Sequence, residues 1–228
     1  VVTDNAAIAL RDANIKTLVG RLTAEEMAQV IHENGIEMIV DASHPFAEEA
    51  SKNGMEAARL AEIPYVRYER GDFKETDPLI QEVDSYEEAA LFAKEQKGVI
   101  MLTTGSKTLQ VFTKHLLHDE GIRLIARMLP RKDNMEKCEE LGFEQKNIVA
   151  IQGPFSKELN IALFNQFGVT LMITKESGKV GSVDEKVEAA RELNIPMIMI
   201  KRPKINYGYV CRTFPEVVDT IKHKNEVF

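Results

Sequence analysis

Short, continuous apolar runs recur along this chain between longer amphipathic stretches, and they constrain its fold more than any other feature. They are Ile36–Asp41, Tyr65–Glu69, Val99–Thr103, Arg123–Met128, Ile148–Ile151, Leu171–Thr174 and Met197–Ile200. A strand with one wet face alternates apolar and polar residues, whereas a strand covered on both faces reads as an unbroken run. The runs therefore predict strands sandwiched between helices, with Phe46–Glu62 and Ser85–Lys94 as two of those helices. Thr23…Glu26, Ser85…Glu88 and Ser182…Glu185 match the capping box, in which the two side chains satisfy each other's orphan amides. The expected fold is α/β: two Rossmann-like open, mainly parallel sheets with helices on both faces.

One local pattern occurs twice, as AARLAEIPYVRYER over Ala57–Arg70 and AARELNIPMIMIKR over Ala189–Arg202. Each copy reads as a helix end, an Ile-Pro connection and a strand that ends in basic residues. A chance match of so common a joint would give it too, but two similar halves account for it more economically, and the switch is expected near Lys94–Lys97, giving domains over 1–95 and 96–228. Val1–Thr3 reads as the end of a strand, so the first sheet is expected to lack its opening βα unit. That unit usually carries the phosphate-binding glycines. No Gly-x-Gly-x-x-Gly occurs, and Gly105-Ser106-Lys107-Thr108 is out of frame for a P-loop.

Composition narrows the function classes. The net charge of −7 and an aromatic content of 7% argue against a nucleic-acid binder. No apolar run is long enough to span a bilayer and no secretory signal is recognisable, so no membrane partner and a cytosolic location are expected. Cys138 and Cys211 form no Cys-x-x-Cys pair, and the five histidines lack metal-ligand spacing, so no metal is expected. No Gly-x-Ser-x-Gly elbow points to a serine hydrolase.

In open parallel sheets, ligands collect at the carboxyl ends of the strands. Five loops qualify. Asp41–Phe46 offers Ser43 and His44, either as helix caps or, for His44, as a ligand contact or proton donor. Thr103–Ser106 offers Gly105 and Ser106, and is also a plain strand-to-helix turn. Gly153, Pro154, Phe155 and Ser156 form a rigid turn, with Ser156 placed to cap a helix through Phe167. Lys175, Ser177 and Gly178 suit a pyrophosphate or ribose, or a solvated charged loop. Lys201 and Arg202 follow the last clear run and mirror Arg67 and Arg70, which suggests an anion site.

The segments DASHPFAEEASKNGMEAARLAEIPYVRYER, GPFSKELNIAL, TKESG and KVEAARELNIPMIMIKRP, in that order, resemble the precorrin-6A reductases, including the cobalt-precorrin-6A reductases. The resemblance covers nearly the whole chain. It implies an enzyme of cobalamin biosynthesis that passes a hydride from NADPH or NADH to one double bond of a tetrapyrrole, giving the 6B form. It also implies two Rossmann-like domains with the site in the cleft between them. Carried over residue by residue, Gly153–Ser156 and Lys175–Gly178, with Lys175, Ser177 and Gly178, are expected at the cofactor, and Gly105 and Ser106 join them from their place in a strand-to-helix loop. Ser43, His44, Lys201 and Arg202 are carried over to the macrocycle, whose acidic side chains need local cations, and Arg67 is expected there from the mirrored basic cluster. Transient contact with neighbouring enzymes of the pathway is compatible with this. A nicotinamide reductase of another substrate and a non-enzymatic two-domain binding protein are the alternatives.

Overall fold

A computed structural model describes residues 15–69, 71, 77–176 and 184–227. The Val1–Thr3 strand, Arg70, Ser177, Gly178 and the Ser182 box lie outside them. The chain divides into two compact units, 1–70 with 203–228, and 71–202. The expected switch at Lys94–Lys97 instead falls inside the second unit, because residues beyond 202 rejoin the first.

The first unit runs α1 (Ala24–Asn34), β1 (Ile39–Asp41), α2 (Glu48–Leu60) and β2 (Tyr65–Tyr68), and is completed by β9 (Tyr209–Cys211), α8 (Phe214–Lys222) and α9 (Lys224–Val227). Its strands pair in parallel in the order β1-β2-β9. The capping box at α1 closes as expected: Glu26 N–H donates to Thr23 Oγ1 at 3.2 Å, and Thr23 N–H donates to the Glu26 carboxylate at 2.8 Å. At α2 the expectation fails. Ala47 is the cap residue and its methyl group can accept nothing, while Ser43 is turned back toward Asp41, so no side chain caps the helix.

The second unit holds β3 (Ile80–Val83), α3 (Tyr86–Gln96), β4 (Gly98–Leu102), α4 (Leu109–Leu116), β5 (Ile122–Met128), α5 (Lys132–Glu140), β6 (Ile148–Ala150), α6 (Lys157–Phe167), β7 (Leu171–Lys175), α7 (Glu185–Glu192) and β8 (Met197–Ile200). All six strands are parallel, in the order β3-β8-β7-β4-β5-β6. Helix α3 packs on α4, and α6 on α7. Ile100, Met101, Ile125, Met172 and Ile173 are wholly buried, as unbroken apolar runs require. Ser85 caps α3 and Ser156 caps α6, both as expected, while α7 is capped by Asp184.

The duplicated pattern has one geometry in both units. Glu62 and Asn194 each take φ 54°, and the following isoleucine amides return to the helix, Ile63 to Ala58 O at 3.0 Å and Ile195 to Ala190 O at 2.8 Å. The left-handed residue turns the chain at once from helix into the next strand. Each of those strands, β2 and β8, lies inside its own sheet.

A buried ionic network ties β1 to β2. Asp41 accepts hydrogen bonds from Ser43 Oγ (2.5 Å), Ser51 Oγ (2.7 Å) and Tyr65 Oη (2.5 Å), and pairs with Arg67 at 3.1 Å. Burial alone would raise the Asp41 carboxyl, but the hydrogen bonds from Ser43, Tyr65 and Ser51 outweigh it and hold the group below the ordinary carboxylate range. With its folded pKa depressed, Asp41 contributes stability above the unfolded value of about 4, and that contribution is lost as pH falls through the folded value. Asp41→Asn removes one partner of a buried cation and should cost about 3 kcal/mol at neutral pH. Urea unfolding between pH 7 and pH 3 should show a shallower acid loss in the variant; equal slopes would refute this role.

Candidate functional site at the carboxyl edge of the second sheet

From β4 the chain winds outward through β5 and β6, then crosses back to β7 on the other side of β4 and winds the opposite way to β8. Consecutive connections therefore diverge between β4 and β7, the position where open α/β sheets form a ligand crevice. The loops leaving β4, β5, β6 and β7 all open at this edge.

After β4, Gly105 takes φ +80°, and a Cβ there would meet nothing within 4 Å. Backbone can approach a ligand at that point. Ser106 Oγ donates to Asn134 Oδ1 at 2.5 Å, which fastens the loop to α5. After β6, Gly153 leads through a cis peptide to Pro154. A Cβ on Gly153 would lie 3.0 Å from the Phe155 ring, so the glycine lets that ring fold back. Leu159 N–H donates to Ser156 Oγ at 3.3 Å, and the first amides of α6, like those of any helix, have no intrahelical carbonyl partner.

At the end of β7, the Lys175 ammonium is pushed to a lower pKa first by burial and then by Lys107 and Lys186. Lys186 pairs with Asp184 at 2.6 Å. Arg127, near the end of β5, is only 8% exposed. It donates to Asn160 Oδ1 at 2.7 Å and lies 4.7 Å from the Phe155 ring centroid. Burial pushes Arg127 down to about 10, and Asp184 opposes that only through space. The hydroxyl of Thr174, 1% exposed, has no hydrogen-bond partner among the described residues. Arg127, Asn160 and Thr174 were not singled out from the sequence. An arginine inside the apolar run RLIARM was the available signal, since a charge in a doubly covered strand needs a reason.

Lys201 and Arg202 follow β8 at the same edge, and each already faces an acid. Lys201 pairs with Asp84 at 2.9 Å; Arg202 lies 3.4 Å from Glu176 and donates to Gly71 O at 3.0 Å. The remaining residues lie in the first unit. Arg67 is fully buried, bound to Asp41, to Glu69 at 2.7 Å and to Ser43 Oγ at 3.2 Å, with Tyr207 4.8 Å over its guanidinium. Its Nε and Nη1 donors serve this network, and Ser43 belongs to it too, so both residues support the loop after β1. His44 is exposed, accepts from Phe46 N–H at 3.2 Å through Nδ1, and lies at the carboxyl end of β1. Among the described residues, no helix is long and apolar enough to cross a membrane.

The family described as "Precorrin-6x reductase CbiJ/CobK" matches residues 1–222. A cobalt-precorrin-6A reductase of Priestia megaterium is 63% identical over 221 residues, which is 97% of this chain and 87% of that protein. The cobalt-precorrin-6A reductase of Methanocaldococcus jannaschii is 39% identical over 91% of this chain and 80% of its own length. A solved structure titled "CobK precorrin-6A reductase" shares the fold with a TM-score of 0.78 at 21% identity, covering 91% of this chain and 82% of that one. With a match across nearly its full length and a relative of such high identity, the chain belongs to the precorrin-6x reductase CbiJ/CobK family.

Proposed function

We propose that this chain reduces one double bond of the precorrin-6A macrocycle to the 6B form with the hydride of NADPH or NADH, in cobalamin biosynthesis. The observation that carries this is 63% identity across 97% of the chain to a cobalt-precorrin-6A reductase. Because the relatives at 63% and 39% both bear that name, the cobalt-containing macrocycle is the expected substrate. A cytosolic setting, with transient contact to neighbouring enzymes of the pathway, completes the reading.

The residues of the second unit suit a nicotinamide nucleotide. The basic residues Arg127, Lys175, Lys107 and Lys186, a buried hydroxyl at Thr174 with no partner among the described residues, a glycine with open space at Gly105 and the start of α6 meet at one edge. Gly153, Pro154, Phe155 and Ser156, with Gly105, Ser106 and Lys175, would bind and orient the nucleotide; Ser177 and Gly178 remain assigned to it by resemblance. When bound, the nicotinamide supplies the hydride. The protein's part is to hold donor and acceptor at reacting distance and to exclude water, so positioning dominates and no nucleophile is needed. Lys201 and Arg202 would exchange Asp84 and Glu176 for carboxylates of the macrocycle, and His44 is the candidate proton donor.

An anaerobic assay of the full chain tests this with cobalt-precorrin-6A and precorrin-6A, each against NADPH and NADH. Nucleotide oxidation should match macrocycle reduction one for one; no turnover with either macrocycle would overturn the reading. In the same assay, the double variant Lys201→Ala/Arg202→Ala should raise KM for the macrocycle by about a hundredfold and leave nucleotide KM nearly unchanged. Equal losses for both ligands would remove these two residues from the substrate site. Gly153→Val should weaken nucleotide binding by displacing Phe155, with little change in thermal midpoint, and calorimetric titration measures it.

A further inference from the structure

Ile125 of β5 and Met172 of β7 both pair with Met101 of β4, so the three side chains share one face of the sheet. Phe164 of α6 and Val187 of α7 join them in one apolar cluster, which places that face under α6 and α7. Two residues further along, at the carboxyl edge, the same face carries Arg127 on β5 and Thr174 on β7. Thr103, the residue after β4, lies between them, with its hydroxyl donating to Ile173 O at 3.1 Å. Arg127 and Thr174 are two strands apart, roughly 10 Å between backbones. An extended guanidinium and a tetrahedral oxyanion can bridge that gap.

Both groups are costly as they stand. A guanidinium 8% exposed has a neutral amide and an aromatic ring for company, and among the described residues no carboxylate touches it. A hydroxyl 1% exposed has no partner among them. Burying a charge without a counter-ion, or a hydroxyl without a hydrogen bond, is unfavourable and persists where a ligand completes the site. Arg127 is held in place besides. Asn160 Oδ1 accepts from it, Asn160 Nδ2 donates to Ser156 O at 2.7 Å, and the Phe155 ring covers its face. The guanidinium is thus fixed beneath the first turn of α6, whose amides also favour an anion.

We propose that Arg127 and Thr174 form the floor of a phosphate pocket that takes a phosphate group of the nucleotide, Arg127 through its guanidinium fork and Thr174 through its hydroxyl. This rests on the reading that the nucleotide lies against the loops of the second unit. Lys107, Lys175 and Lys186 add positive potential around the pocket, as their mutual effect on Lys175 shows. A phosphate group offers several anionic oxygens to the guanidinium fork and the hydroxyl at once, more than a single carboxylate does.

The test compares Arg127→Gln and Thr174→Val with the parent chain, reading thermal midpoint and nucleotide affinity separately. Arg127→Gln should leave the midpoint unchanged or raise it, because an uncompensated buried cation is removed. It should weaken NADPH about tenfold to a hundredfold, and Thr174→Val about threefold to tenfold. Running NADH in parallel identifies the phosphate: an equal loss assigns the pyrophosphate, and a loss confined to NADPH assigns the 2′-phosphate. Either result supports the pocket. A lowered midpoint with unchanged nucleotide affinity would make Arg127 structural and overturn it. Weakened macrocycle binding in place of weakened nucleotide binding would overturn it too. If Gly153→Val weakens the nucleotide while Arg127→Gln and Thr174→Val do not, the cradle stands and the pocket falls; if none of the three matters, both fall.

Discussion

A parallel sheet covered on both faces can place polar groups only at the ends of its strands, and the second unit is organised by that constraint. Within β4, β5, β7 and β8 the residues Ile100, Met101, Leu102, Leu124, Ile125, Met172, Ile173, Met197 and Ile198 are at most 2% exposed. Polarity begins where the helices stop covering the strands, at Thr103, Arg127, Thr174 and Lys175. Burial along the strands and ligand chemistry at their tips are two consequences of one requirement. Water is excluded from the sheet, and backbone amides and cations are left to face whatever enters the crevice.

Two buried arginines show how differently the same side chain can be used. Arg67 is balanced: Asp41 and Glu69 neutralise it, Ser43 accepts from it, and Tyr207 lies over it. Such a group stabilises the crossing from β1 to β2 and has little left for a ligand. Arg127 has one neutral hydrogen-bond partner and one ring, and an acid only at a distance. Its charge is destabilised in the folded state, as its depressed pKa records, and a phosphate would relieve that. On the proposed reading, the nucleotide would draw on a cation that the fold holds but does not neutralise.

Much was legible in the residues. Seven of the nine described strands followed from the apolar runs, all but Ile80–Val83 and Tyr209–Cys211; Thr23, Ser85 and Ser156 followed from their capping geometry, and the two Ile-Pro joints from their repetition, because each of these depends on neighbours within a few residues. The strand Tyr209–Cys211 was not legible: its three residues carry no run, and it exists only by pairing with β2. The cap expected of Ser43 failed for a related reason. Asp41, two residues earlier, competes for the same hydroxyl once Tyr65, Ser51 and Arg67 have fixed that carboxylate in place.

The sequence by itself determined the class of fold, the alternation of strand and helix, and the family, since local periodicity, caps and ordered motifs are properties of contiguous residues. The tertiary structure alone decided which sheet each strand joins, that residues beyond 202 return to the first unit, and which arginine is neutralised. Those outcomes depend on partners distant along the chain: Arg127 meets Asn160 across 33 positions, and Arg191 meets Asp77 across 114. No local pattern encodes such a pairing, because its free energy is realised only when the sheet closes and water leaves the space between the partners.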